Sequence, residues 1–211
     1  MTATASARSL EGRGLACSRG VTTLFRNVSF QVSGGEWLAL RGPNGSGKTT
    51  LLRCVAGLTR ADAGEVHWSG EPVNSDVSRF HADLLYAGHL PGIKDDLSAE
   101  ENLRGALALR GVAVPGEAIR AALTEVGLEK RRQLPARRLS AGQRRRIGLA
   151  RLSLDPAAIW ALDEPLTALD DAGQALFSRL LARHLERGGL AVLATHHDLM
   201  PPPARVLRIE P

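Results

Sequence analysis

A chain of 211 residues, 44% hydrophobic and 23% charged, has the length and apolar content of one globular domain, or one two-lobed domain, with a sizeable core. No run approaches the ~18 apolar residues needed to cross a bilayer, and the first residues carry no apolar stretch of signal-peptide length. The net charge of +5 comes almost wholly from arginine and is densest at Arg144-Arg145-Arg146. Such a surface can meet nucleic acid, meet anionic lipid headgroups or simply be solvated, and charge alone does not choose among them.

In chain order, Val28-Ser29-Phe30-Gln31-Val32 alternates apolar and polar residues as a half-exposed strand does. Trp37-Leu38-Ala39-Leu40 is a continuous apolar run that ends in a glycine-rich turn, which predicts a buried parallel strand. A helix follows over 49–57, closed by Gly57, and Glu65-Val66-His67-Trp68 forms another short strand between glycines. From about 98 to 153 strand signals vanish and the pattern is helical, broken at Gly111, Pro115 and Gly127. Strands return at Ile159-Trp160-Ala161-Leu162 and Leu190-Ala191-Val192-Leu193-Ala194, with a helix over 171–187 between them. Pro201-Pro202-Pro203 breaks the chain before a last strand at Val206–Ile209. The expected class is α/β, a mostly parallel sheet formed by about 1–88 and 155–211, with an inserted helical subdomain over about 89–154. Cys17 and Cys54 lack metal-ligand spacing and read as reduced, structural thiols, as in a cytosolic setting.

Gly42-Pro43-Asn44-Gly45-Ser46-Gly47-Lys48-Thr49, followed by Thr50, matches the P-loop pattern Gly-x-x-x-x-Gly-Lys-Ser/Thr in its required place between strand and helix. The glycines let backbone N–H groups turn inward around phosphate oxygens, and the helix start adds its positive dipole end. Lys48, one of only three lysines, brings a full charge to the β- and γ-phosphates, and the Thr49 hydroxyl can ligate Mg²⁺. The alternative, a flexible Gly/Ser turn, leaves the flanking strand and helix unexplained. ATP and Mg²⁺ are the implied ligands.

Farther along, the apolar run 159–162 delivers Asp163-Glu164-Pro165 at its carboxyl end. A carboxylate there stands beside the phosphates as a partner for Mg²⁺, and its neighbour Glu164 can act as general base toward the attacking water. Two acids before a proline also cap strands commonly; the P-loop is what tips the reading toward catalysis.

Leu139-Ser140-Ala141-Gly142-Gln143 resembles the LSGGQ signature of ABC ATPases, Thr167-Ala168-Leu169-Asp170 their D-loop, and Thr195-His196 their switch histidine. With the P-loop and the Asp-Glu pair, that is five motifs in family order across nearly the whole chain. The resemblance implies a homodimer of cassettes on ATP binding, closed head to tail. ATP then lies between one P-loop and the partner's Ser140, Ala141, Gly142 and Gln143, with Asp170 nearby and His196 at the γ-phosphate. Two positions depart from the family pattern. His89, in Gly88-His89-Leu90-Pro91-Gly92-Ile93-Lys94, stands where a glutamine usually meets Mg²⁺, and Arg19 stands in place of the aromatic that stacks on adenine. The segments 88–94, 139–146 and 163–170 are similar to those of ATP-binding subunits of heme exporters in bacterial cytochrome c maturation. That likeness implies integral membrane subunits as partners, a peripheral position on the cytoplasmic face of the inner membrane, and no nucleic acid. Another small exporter's ATPase, or a soluble ABC ATPase, is the alternative; the latter class usually carries a second cassette, a coiled-coil insertion or a nucleic-acid arm.

Overall fold

The computed structural model describes residues 8–89 and 92–209; Leu90 and Pro91 of the segment 88–94 lie outside the described residues. Contacts divide the chain into two compact units: residues up to Gly88 with Ala157–Pro165 and Arg183 onward, and His89–Pro156 with Leu166–Ala182.

The first unit holds a five-stranded parallel sheet. Its strands are β3 (Trp37–Arg41), β6 (Leu84–Ala87), β7 (Ile159–Asp163), β8 (Leu190–Ala194) and β9 (Arg205–Arg208), in the order β6-β7-β8-β3-β9. Every residue of β7 and β8 is buried, which is why both read as unbroken apolar runs rather than alternating ones. Helix α1 (Lys48–Val55) packs on β7 and β8 through Leu51, Leu52 and Val55.

Beside the parallel sheet lies a four-stranded antiparallel one, β1 (Ser9–Arg19), β2 (Thr22–Ser33), β4 (Ala63–Trp68) and β5 (Glu71–Pro72), in the order β2-β1-β4-β5; the sequence pattern reads parts of β2 and β4 but neither β1 nor β5. Strand β1 buries Leu10, Gly12, Leu15 and Cys17, but register shifts between Gly12 and Ser18 break the period of two by which a strand is recognised. Strand β6 is only four residues long, and α2 (Val77–Asp83), capped by the Asp76 carboxylate, spans seven. Cys17 and Cys54 are free and buried, and burial pushes the Cys54 thiol up to about 12.

The second unit is helical: α3 (Ala99–Ala108), α4 (Gly116–Glu125) and α5 (Ala141–Leu154), with the first part of α6 (Asp171–Glu186). Ser98 with Glu101, and Ser140 with Gln143, form reciprocal capping boxes that start α3 and α5. The pattern assigns 155–211 wholly to the sheet lobe, whereas 166–182 groups with the helices, tied to α5 through the Arg146–Asp170 ion pair. Asp155, at the end of α5, has a fully buried side chain held by Arg110 at 2.9 Å and Arg151 at 3.7 Å. Among the described residues no helix is long and apolar enough to cross a membrane.

Candidate active site

Strand β3 ends at Arg41, and the chain turns at once through Gly42, Gly45 and Gly47, with φ of +154°, +83° and +96°. Gly42 has no alternative: a Cβ there would lie 2.3 Å from the Ile209 carbonyl oxygen and 2.7 Å from Ser46 Oγ. Pro43, Asn44 and Gly45 form an exposed rim, and Thr50 sits half-buried in the first turn of α1. The Lys48 side chain folds back into the turn, donating to the carbonyl oxygens of Gly42 at 2.7 Å and Pro43 at 2.9 Å. The buried Ser46 hydroxyl has no hydrogen-bonding partner among the described residues. A caged ammonium, an orphaned hydroxyl and a turn too tight for any Cβ together make a cradle that fits phosphate oxygens.

Parallel pairing of β7 with β8, and of β8 with β3, carries the acidic pair to the same sheet edge. Asp163 is 4% exposed, and its Oδ2 accepts from Thr49 Oγ1 at 2.8 Å. A hydroxyl and a carboxylate held this close are a hard oxygen donor set of the kind Mg²⁺ takes. Glu164 adopts φ +47°, uncommon for a residue with a Cβ, and its N–H donates to the Ala194 carbonyl at 2.8 Å. The turn leaves its carboxylate partly exposed, with Oε1 3.4 Å from His196 Nε2. Thr195 is fully buried beneath, so His196 emerges from the end of β8 with its side chain half exposed.

Other residues singled out by the sequence each have their own surroundings. Arg19 is exposed at the end of β1, where the hairpin turns. In the second unit, Ser140 Oγ accepts from Gln143 N at 3.2 Å while Gln143 Oε1 accepts from Ser140 N at 3.0 Å. Ala141 is exposed in the first turn of α5. Gly142 lets the chain pass closely: a Cβ there would stand 3.0 Å from the Ala168 carbonyl. His89 is exposed, and its carbonyl accepts from Arg145 Nη1 at 3.1 Å; its imidazole has no hydrogen-bonding partner among the described residues.

The arginine triplet proves to be engaged rather than presented as a free basic face. Arg144 donates to Asp95 at 3.2 Å, Arg145 to His89, and Arg146 Nη2 reaches both carboxylate oxygens of Asp170 at 2.7 and 2.9 Å. The Arg146 hydrogen bonds, with the Gly173 N–H, hold the Asp170 carboxyl below its usual range. Arg146, the partner of the candidate site residue Asp170, lies inside a charge run, and nothing in spacing or periodicity separates it from its neighbours.

The ABC transporter family model matches residues 25–167, which takes in the cradle, the 139–143 segment and the Asp163-Glu164 pair. This chain belongs to the ABC transporter family. It is accordingly an ATP-binding, ATP-hydrolysing cassette. Among curated proteins it is 49% identical over 190 residues to cytochrome c biogenesis ATP-binding export protein CcmA 1 of Salmonella paratyphi A, covering 90% of each chain. The proteins of the same name, CcmA, from Nitrosomonas europaea and Vibrio cholerae are 47% and 45% identical, with 90% of this chain covered and 90% and 92% of theirs. Among solved structures, a putative ABC transporter ATP-binding protein from Pyrococcus furiosus superposes with a TM-score of 0.83 at 24% identity, covering 95% of this chain and 97% of that one. The ATP-binding subunit of another ABC transporter gives a TM-score of 0.77. These two establish the fold of the ABC cassette.

Proposed function

We propose that the chain is the ATP-hydrolysing motor subunit of a transporter that energises heme export or delivery for c-type cytochrome assembly. The observation that carries the reading is the 45–49% identity, over 90% of the chain, to proteins named for ATP-binding export in cytochrome c biogenesis. The motor acts from the cytoplasmic face of the bacterial inner membrane, bound to integral membrane subunits, with two cassettes closing on ATP.

In this reading the cradle amides, Lys48, Ser46 and Thr50 take the phosphates, and Arg19 lays its planar guanidinium against the base. Thr49 and Asp163 would hold Mg²⁺, and the ion would neutralise charge on the β- and γ-phosphates. Glu164 accepts a proton from water as its oxygen bonds to the γ-phosphorus and the bond to the β–γ bridging oxygen breaks. His196, 3.4 Å from Glu164, orients that carboxylate and meets the γ-phosphate. Ser140, Ala141, Gly142 and Gln143 cap the phosphate bound by the partner cassette, and Asp170 sets the loop between the two sites.

The test is complementation. Cells lacking the cassette lose covalent heme from c-type cytochromes and keep b-type cytochromes, and Glu164→Gln fails to restore them. Normal c-type cytochromes in the deletion strain would exclude this cargo and point to another exporter.

A further inference from the structure

The residue that ties the nucleotide cradle to the histidine loop lies outside every motif. After β8 the chain forms a short arch with fixed feet. At one foot Thr195 is buried and donates its N–H to the Leu40 carbonyl at 3.3 Å. At the other, Leu199 is 5% exposed and the Pro201 carbonyl accepts from Trp37 Nε1 at 2.9 Å. Between them His196, His197 and Asp198 stand exposed. The His197 N–H is satisfied within the arch by Thr195 Oγ1 at 3.1 Å. The crown is reached from outside by Arg41: its Nη2 pairs with Asp198 Oδ1 and lies 3.5 Å from the His197 carbonyl oxygen.

Arg41 itself is rigidly placed. It is the last residue of β3, its carbonyl accepts from Ile209 N at 2.8 Å, and the next residue is Gly42 of the cradle. Its guanidinium therefore projects from a fixed point beside the cradle onto the arch that presents His196 to Glu164.

We propose that Arg41 is a positioning residue for ATP hydrolysis, acting through Asp198 and the 195–198 arch to hold His196 against Glu164. This rests on the roles given above to His196 and Glu164. A largely exposed ion pair adds little to stability. Selecting one conformation of a short loop requires little, and an ångström of misplacement at a reacting group has large kinetic consequences.

The experiment measures ATP turnover by the full chain in complex with its membrane partners, for Arg41→Ala, Arg41→Lys, Asp198→Asn, His196→Ala and the double variant Arg41→Ala/His196→Ala. Arg41→Ala and Asp198→Asn each lower kcat about tenfold with KM for ATP within about twofold, and Arg41→Lys recovers most of the rate. In the His196→Ala background, Arg41→Ala adds less than about a further twofold, because the group it positions is gone. Asp198 is so exposed that its amide variant does not threaten folding, and melting curves confirm this for the others. A raised KM at unchanged kcat would make Arg41 part of the cradle instead, and full additivity with His196→Ala would break the proposed route; either overturns the proposal. Full activity in His196→Ala would remove the catalytic reading of that histidine and this inference with it, whereas an inactive His196→Ala beside a fully active Arg41→Ala removes this inference alone.

Discussion

Gly42 carries the tightest constraint in the cradle, combining a φ of +154° with a backbone carbonyl 2.3 Å from where a Cβ would stand. Neither the β3–β9 pairing that fixes Ile209 nor the turn itself can give way cheaply. Gly42→Ala is therefore expected to lower ATP affinity at least about tenfold by opening the turn that orients the phosphate-binding amides. A fluorescent-nucleotide titration measures this, and affinity within twofold of wild type would refute the account. Lys48, Thr49, Asp163 and Glu164 were legible in the sequence because covalent spacing and strand polarity deliver them together. The left-handed backbone of Glu164, the reach of Arg41 to Asp198 and the grip of Arg146 on Asp170 were not. Each depends on residues distant in sequence meeting in space, and a run of arginines gives no sign of which one finds the acid.

Between α6 and β8 the chain reverses through Gly188 and Gly189, and the joint is pinned by a histidine. The ring of His184 stacks on Trp160 of β7 at 4.0 Å and 10°, and its Nε2 donates to the Leu190 carbonyl at 3.0 Å. Gly189 is required because a Cβ would lie 2.3 Å from the imidazole. Burial pushes His184 down to about 4 from its ordinary 6.5. The unfolded chain thus takes up a proton that the folded joint refuses, so this contribution to stability is full above pH 6.5 and declines as pH falls toward 4. The loss is at most about 3 kcal/mol over that interval, and about 2 kcal/mol by pH 5. His184→Phe keeps an aromatic on Trp160 but removes the titrating group and its hydrogen bond. It should melt lower than wild type at pH 7.5, yet lose less between pH 7.5 and pH 5; parallel losses would refute the assignment. Sequence periodicity located both the helix and the strand here, while the pin joining them was invisible. At the other extreme β1 was missed as an element, its alternation interrupted by bulges around Gly12 and Gly14.

At the scale of the whole chain, charge and composition left nucleic acid, lipid and plain solvation open, and the ion pairs of Arg144 and Arg146 remove the basic triplet as a free surface. The parallel sheet and helical insertion were readable because buried strands and helices have distinct periods; of the antiparallel sheet only parts of β2 and β4 were, since half-exposed strands rich in glycine resemble loops. The proposed function gives the chain two incomplete anion sites. One is the cradle, where Pro43, Asn44 and Gly45 form an exposed rim above the nearly buried Lys48. The other is the start of α5, where Ser140 and Ala141 are exposed and the helix presents its N-terminal amides. In the proposed dimer a triphosphate in one chain's cradle would face the α5 start of a second chain and complete both, and symmetry would repeat the contact, so that two ATP molecules would seal one dimer. Glu164→Gln keeps the side-chain shape while removing the base, so ATP stays intact between the chains and turnover falls by about 10²–10⁴. Light scattering on this variant should give a dimer with ATP and a monomer with ADP, because ADP lacks the bridging phosphate. Adding Ser140→Arg, which crowds the α5 start without touching the cradle, should abolish the dimer while nucleotide binding persists. A Glu164→Gln chain that stays monomeric at high concentration with saturating ATP would mean that the two half-sites do not meet in this way.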